Sequence, residues 1–195
     1  MKTILVLHTG GTISMSKVAG GSVAPNEKNP LMEQEALFSG KVHLVVEDIF
    51  NIPSPHMTLE RMFQLKERIQ KAYSEPIDGV VITHGTDTLE ETAYFLDLVV
   101  KSDKPVVLVG SMRPGTAMSA DGPLNLYRAV ILAGSKDAVG RGVMVMLNDT
   151  IHSGREVTKT ITDRVDTFQS PVSGVLGFFS GDRPAFYRKS IRKNS

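Results

Sequence analysis

Cysteine is absent from this chain of 195 residues. That excludes disulfides, thiolate metal sites and a cysteine nucleophile, and it fits a reducing compartment. Net charge is nearly absent as well. Lys and Arg number 22 against 21 Asp and Glu, so nothing global draws the protein to nucleic acid or to an anionic membrane surface. No apolar run approaches the ~18 residues of a membrane span. The opening segment Met1–His8 has only Ile4–Leu7 as an apolar stretch, shorter than the ~7–15 residues of a signal-peptide core, and no small-x-small cleavage site follows it. The expected address is therefore the cytoplasm. Several chemical signatures are missing too. There is no Walker lysine motif, no spaced G-x-G-x-x-G and no G-x-S-x-G elbow. His8, His43, His56, His84 and His152 form no H-E-x-x-H pair, so no metal is expected. His8 and His84 end apolar runs and read as hydrogen-bonded core residues.

What is present is the material of one globular domain. Hydrophobic residues make up 41% of the chain, and its length fits the ~100–200 residues of a single domain. Five β-rich runs stand out: Thr3–His8, Val42–Phe50, Gly79–His84, Pro105–Gly110 and Gly142–Leu147. Four are nearly continuous in Val, Ile, Leu and Met, the pattern of strands buried on both faces of a parallel sheet. Helical periodicity lies between them. Residues 59–73 place Leu59, Met62, Phe63, Ile69 and Tyr73 on one face. Residues 88–100 do the same with Leu89, Ala93, Leu96 and Val100, behind a Thr88/Glu91 capping box. Asn125–Ala133 reads as a third helix and Leu31–Phe38 as a weaker one. Strands alternating with helices predict an α/β fold: an open, mainly parallel sheet with helices on both faces.

After residue 150 the pattern weakens. Gly154–Thr167 reads as a hairpin or irregular segment, and Val172–Phe179 is short, apolar and broken by glycine. Residues 183–195 hold Arg183, Arg188, Lys189, Arg192 and Lys193 and no acid. A basic run of this kind suits a solvated linker better than a nucleic-acid surface, since it has no stacking pattern. The expected division is an α/β domain over residues 1–182 and a linker over 183–195.

In an open parallel sheet, ligands bind at the carboxyl ends of the strands. The segments after the five runs are Thr9-Gly10-Gly11-Thr12, Asn51-Ile52-Pro53-Ser54, His84-Gly85-Thr86-Asp87-Thr88, Gly110-Ser111-Met112-Arg113 and Asn148-Asp149. Glycines and small hydroxylated residues thus collect at one edge. Glycines permit sharp turns and close approach to a ligand, although they equally suit an ordinary strand-to-loop turn. Thr86-Asp87-Thr88 at a helix head equally suits plain capping. Lys159, in Val157-Thr158-Lys159-Thr160, reads either as an exposed strand lysine or as a partly buried amine whose desolvation lets it take a proton from a hydroxyl.

Taken together, the loops resemble the bacterial-type L-asparaginase family of threonine amidohydrolases. Two motifs carry the resemblance: Leu7-His8-Thr9-Gly10-Gly11-Thr12-Ile13 and Val81-Ile82-Thr83-His84-Gly85-Thr86-Asp87-Thr88-Leu89-Glu90-Glu91-Thr92-Ala93. Supporting matches are Asn51–Ser54, Gly110–Pro114, Asp121-Gly122, Asn125-Leu126 and Val157–Thr160. The resemblance implies a flavodoxin-like or Rossmann-like amino-terminal domain that hydrolyses L-asparagine, with L-glutamine as a second candidate, to the amino acid and ammonia. It implies Thr12 as nucleophile and Thr86, Lys159 and Asp87 as a hydroxyl–amine–carboxylate relay. Ser54 would hold the substrate α-carboxylate and Asp87 its α-ammonium. Gly11, Gly85, Thr86 and Ser111 would complete the substrate site. No cofactor is implied, and a homodimer or homotetramer is.

Three departures accompany the resemblance. The loop Ser14–Leu31 has no tyrosine where the family usually places one, and Val23 stands near that position. Pro55 follows Ser54 where a glutamine is frequent, and it has no side-chain donor. The family continues into a smaller second domain that lends groups to a neighbouring subunit, so this chain is expected to be an amino-terminal domain. Two other readings stand beside the hydrolase. One is a catalytically silent amino-acid-binding or subunit-interaction module. The other is the asparaginase-like subunit of a tRNA-dependent amidotransferase, whose extra domain before the first strand has no match ahead of Thr3.

Overall fold

A computed structural model of the chain describes residues 1–17, 23–25 and 38–189. In chain order the strands and helices are β1 (Lys2–Gly10), β2 (Met15–Lys17), β3 (Val23–Pro25), β4 (Val42–Ile52), α1 (Leu59–Ala72), β5 (Gly79–Thr83), α2 (Leu89–Val99), β6 (Val106–Val109), α3 (Gly122–Gly134), β7 (Val143–Leu147), β8 (Thr150–Ser153), β9 (Thr158–Lys159), β10 (Phe168–Gln169), β11 (Gly177–Ser180) and β12 (Arg183–Phe186).

The main sheet has eight strands in the order β12-β11-β8-β7-β6-β5-β1-β4. β4, β1, β5, β6 and β7 are mutually parallel. Counted among themselves in chain order, these five run 2-1-3-4-5, the doubly wound order of flavodoxin-like folds. β1, β5, β6 and β7 are largely apolar and buried on both faces, as strands of a parallel sheet covered by helices are, whereas the edge strand β4 is only partly buried and carries His43, Glu47, Asp48 and Asn51. Leu5, Leu7, Val80, Ile82, Leu108 and Val145 face one core with Leu65 and Ile69 of α1 and Leu96 of α2. Ile4, Val6, Val81, Val107, Val109 and Met144 face the other with Leu126, Val130 and Leu132 of α3. The alternation along each strand follows the period of two in the pleat.

The parallel half matches its expectation closely, and the differences have local causes. The buried stripe of α1 is Leu65, Ile69 and Ala72, with Met62 packed against it, whereas Leu59 is 55% and Phe63 44% exposed. Steps of three and four residues from 62 keep one face, and Leu59 and Phe63 lie off it. Thr88 does not cap α2 with its side chain; its hydroxyl donates instead to the Ser54 carbonyl at 2.7 Å. The third helix starts earlier than expected, at Gly122, with Pro123 in its first turn where a missing N–H costs nothing.

The other half departs more. Asn148 and Asp149 adopt φ of 46° and 65°, as a two-residue hairpin turn of type I′ requires, and send β7 directly into antiparallel β8. β11 and β12 extend the sheet antiparallel. Arg183–Phe186 is therefore a paired edge strand and not a solvated linker, with Pro184 tolerated on that outer edge. Arg188, also expected in the linker, ion-pairs with Glu156 and donates to the Gly174 carbonyl at 2.6 Å. The expected helix at 31–38 lies outside the described residues apart from Phe38, as does most of the loop after Thr12. Among the described residues no helix is long and apolar enough to cross a membrane.

Candidate active site

The crevice of a doubly wound sheet lies where the strand order reverses. Here that point is between β1 and β5, and the loops leaving those two strands carry the two strongest motifs. Gly10 and Gly11 take φ of 104° and 86° as β1 ends. A Cβ on Gly11 would lie 2.4 Å from the Gly85 nitrogen, and one on Gly85 would lie 2.7 Å from the Ser54 side chain. The loop after β1 is thus stacked backbone on backbone against the loop after β5, which in turn packs on the Ser54 side chain, approaches that only glycine permits at these positions. The turn throws Thr12 into a short 3-10 turn, Thr12–Ser14, on the wall of a cleft of about 240 Å³. Thr9, the other threonine of that motif, is structural: its buried hydroxyl donates to the Thr83 carbonyl at 2.7 Å and ties the end of β1 to the end of β5.

The same cleft is lined by Gly11, Ser54, Gly85, Thr86, Asp87 and Lys159. Lys159 Nζ lies 3.0 Å from Thr86 Oγ1 and 2.7 Å from Asp87 Oδ1. Its side chain is 14% exposed while that of Asp87 is 62% exposed, so the amine is sheltered and the carboxylate faces the cleft. Ser54 is buried, and its hydroxyl oxygen accepts the Asp87 N–H at 3.2 Å. A hydroxyl has one proton to give and that bond does not use it, so Ser54 retains a donor for a ligand.

Beneath the cleft sits His84, fully buried. Its Nδ1 lies 2.7 Å from the Gly85 carbonyl and its Nε2 2.9 Å from Thr92 Oγ1. A carbonyl only accepts, so Nδ1 carries the proton and Nε2 takes the Thr92 hydroxyl. Burial lowers the imidazole to about 4, against the weaker opposing effect of the Gly85 carbonyl. His84 is thus a neutral brace under Gly85-Thr86. His8, likewise lowered by burial, lies 2.7 Å from the Thr83 hydroxyl through Nδ1. Both read as core histidines, as the sequence suggests.

Seven of the eight sequence-nominated residues therefore line one cleft. Ser111 does not: it is buried, and its hydroxyl donates to the Arg113 carbonyl at 3.0 Å. Pro53, Pro55, Met112 and Thr162 complete the lining. The sequence reading also left Glu90 unassigned. Its carboxylate accepts the Thr158 hydroxyl at 3.0 Å and the Lys159 backbone N–H. An acid in the first turn of a helix is common, so its residue type alone carries no such signal. Among the described residues no group of three or more His, Asp or Glu side chains gathers as a metal site would.

Comparison with known proteins places this geometry. The amino-terminal asparaginase family model matches residues 3–192. L-asparaginase 2 of Bacillus subtilis is 47% identical over 194 residues, covering 93% of this chain and 50% of the relative. Glutaminase-asparaginase of Pseudomonas fluorescens is 43% identical over 201 residues, covering all of this chain and 55% of the relative. The crystal structure of a probable cytoplasmic L-asparaginase from Campylobacter jejuni superposes with a TM-score of 0.90 at 47% identity, over 99% of this chain and 59% of that one. The chain spans about half the length of the curated relatives it matches. With a family match across nearly its whole length and a doubly wound sheet bearing both threonine loops, the chain belongs to the asparaginase family and corresponds to its amino-terminal domain.

Proposed function

We propose that this chain carries the nucleophile-bearing part of an L-asparaginase, which hydrolyses L-asparagine to L-aspartate and ammonia. The observation that carries the reading is the contact of Lys159 with both Thr86 and Asp87 on the wall of the cleft that Thr12 also lines. In this reading the Thr12 hydroxyl attacks the side-chain amide carbon. Its proton leaves by the relay of Thr86, Lys159 and Asp87. The C–N bond breaks, ammonia departs with that proton, and a β-aspartyl ester remains on Thr12. Water then hydrolyses the ester. Backbone N–H groups beside Thr12 and Thr86 receive the oxyanion, a contribution worth roughly 10²–10³ in rate where such donors have been removed. Ser54 donates to the α-carboxylate and Asp87 accepts the α-ammonium.

Several finer proposals follow from the resemblance and the relatives' names. L-glutamine is a second substrate, the protein acts in the cytoplasm, and its working form is a homo-oligomer. Contacts to the substrate beyond those of this cleft come from the part of the relatives that this chain does not match. The test is ammonia release at saturating asparagine, from residues 1–195 and from the same residues fused to the carboxy-terminal half of the Bacillus subtilis relative. The fused form is expected to turn over and the short form to do so at least tenfold more slowly. Calorimetric binding of asparagine with no ammonia from either form would replace the hydrolase with a silent binding module.

A further inference from the structure

Lys159 sits on β9, a strand of two residues that, among the described residues, pairs only with the equally short β10. Such a ribbon has little stiffness of its own. Yet its amine must be held at hydrogen-bond distance from Thr86, on an element 73 residues earlier in the chain. What fixes it is α2. At its amino end, Glu90 takes the Thr158 hydroxyl on Oε1 and the Lys159 backbone N–H on Oε2. At its carboxyl end, the buried Asp97 takes the Val143 N–H on Oδ1 at 3.0 Å and the Arg155 guanidinium on Oδ2 at 2.9 Å. Between them Gly154 runs directly over the helix backbone, where a Cβ would lie 3.1 Å from the Ala93 carbonyl. Residues 90, 93 and 97 form one face of the helix. The spacings agree: seven helical residues rise ~10.5 Å, and the four steps from Arg155 to Lys159 span at most ~13 Å extended. The helix that presents Thr86 and Asp87 at its head therefore also grips the segment that delivers their amine.

We propose that Glu90 is a positioning residue for Lys159, fixing through the β9 backbone where the amine meets Thr86 and Asp87. The proposal rests on the asparaginase reading above. A carboxylate is required because both partners donate. An amide at this position turns one acceptor into a donor and faces an N–H or hydroxyl with another N–H. Glu91, one residue on, supplies the same charge to the same first turn of α2 and is the control for a simple helix-dipole effect.

The experiment compares Glu90→Gln, Glu90→Asp, Glu91→Gln and Lys159→Met in the ammonia assay of the fused form. It adds NMR of residues 1–195 that reads the Lys159 side-chain cross-peak to the Thr86 methyl and the Lys159 amide shift. A misplacement of ~1 Å can cost about 10²-fold, so Glu90→Gln is expected to lower kcat by roughly 10- to 100-fold. KM should stay within threefold, the melting temperature should be little changed, and the cross-peak should be lost. Glu90→Asp, which keeps both oxygens, should recover part of kcat. Glu91→Gln should leave kcat and cross-peak as they are. If Glu90→Gln keeps both turnover and cross-peak while Lys159→Met is inactive, the positioning role is wrong and the catalytic reading stands. If Lys159→Met turns over normally, the relay itself is wrong and this proposal falls with it.

Discussion

The two ends of the parallel sheet are made by the same strands and are built to opposite purposes. At the amino ends the polar groups satisfy one another. Asp78, just before β5, accepts the Lys2 ammonium at 2.6 Å and the Thr3 N–H at 2.8 Å. At the carboxyl ends the chain holds positive-φ glycines stacked on neighbouring backbone, a buried neutral imidazole and an exposed carboxylate. Conformations of this kind cost stability and persist where the surrounding structure fixes them. The contrast separates two kinds of residue. Substitutions of the side chains that line the cleft should change chemistry more than folding, and those at the amino ends should do the reverse.

The sharpest test is Thr12→Ala. Removing the attacking oxygen should lower ammonia release from the fused form by on the order of 10³-fold or more, while the melting temperature barely moves. Thr86→Val should do comparable damage, because it strips Lys159 of its hydroxyl partner. Near-native turnover in Thr12→Ala alongside an inactive Thr86→Val would transfer the nucleophile to the second threonine.

Glycine provides the next comparison, since both ends of the sheet hold one at positive φ. Gly11 has φ of 86° and no space for a Cβ, whereas Gly40, just before β4, has φ of 74° and nothing within 4 Å. Gly40→Ala should cost only the backbone strain, about 1 kcal/mol. Gly11→Ala adds a clash against the Gly85 backbone that cannot rotate away, so it should cost about 2–5 kcal/mol and displace Thr12 as well. Denaturant melts of the two variants decide it. Equal losses would mean that the stacking of Gly11 on Gly85 carries no energy.

The same division governs what could be read from the sequence. The parallel half was legible because strands buried on both faces write themselves as nearly continuous Val, Ile, Leu and Met, whereas the loops at their carboxyl ends, each of which equally suits an ordinary turn or cap, became readable through their resemblance to the asparaginase motifs. Seven of the eight residues that the resemblance nominated line one cleft. Of the antiparallel half, only the hairpin expected within residues 154–167 was legible, close to where β9 pairs with β10. β8 and β12 have four residues each, and β9 and β10 two, too few for a period to show. Arg183–Phe186 read as part of a basic tail because charge and proline outweigh one half-buried Phe186 when pairing is unknown. Ser111 matched a motif but turns its hydroxyl to its own loop, a choice set by backbone geometry. Glu90 shows the limit most clearly. Its role exists only once β9 is laid along α2, a contact between residues 68 and 69 positions apart.

A buried imidazole makes the stability of the carboxyl end depend on pH. His84 is lowered to about 4, and His152, a buried residue of β8 with Nδ1 2.9 Å from the Ser170 hydroxyl, is lowered to about 4 as well. In the unfolded chain both take up a proton near their ordinary value of 6.5, before the folded protein does. Stability is therefore intact above about pH 6.5 and declines as pH falls from there toward 4, by roughly 3 kcal/mol for each group at most. Denaturant midpoints measured across this range should fall steadily. His84→Asn, which keeps a donor for the Gly85 carbonyl, should flatten the slope by about one proton. An unchanged slope would show that His84 is not the neutral brace described.

The smallest effect belongs to the amino end. Lys2 and Asp78 form an ion pair with side chains 48% and 34% exposed, and their contact holds Asp78 below the usual carboxylate range, with the Thr3 N–H as the second cause. Exposure and salt screening limit such a pair to about 1 kcal/mol or less. Lys2→Met should therefore cost at most that, and less at 1 M salt, where the screening length falls to about 3 Å. Asp78→Ala should cost more, because it also leaves the Thr3 N–H without its acceptor while that of Lys2 is merely solvated. The double-mutant cycle separates the two: its coupling energy reports the ion pair alone, and the residue of the Asp78 effect reports the N–H. Turnover of the fused form should not move in any of the three variants. A tenfold loss in Lys2→Met would mean that the two ends of the sheet are coupled, and the separation of chemistry from folding along the strands would fail at its cheapest point.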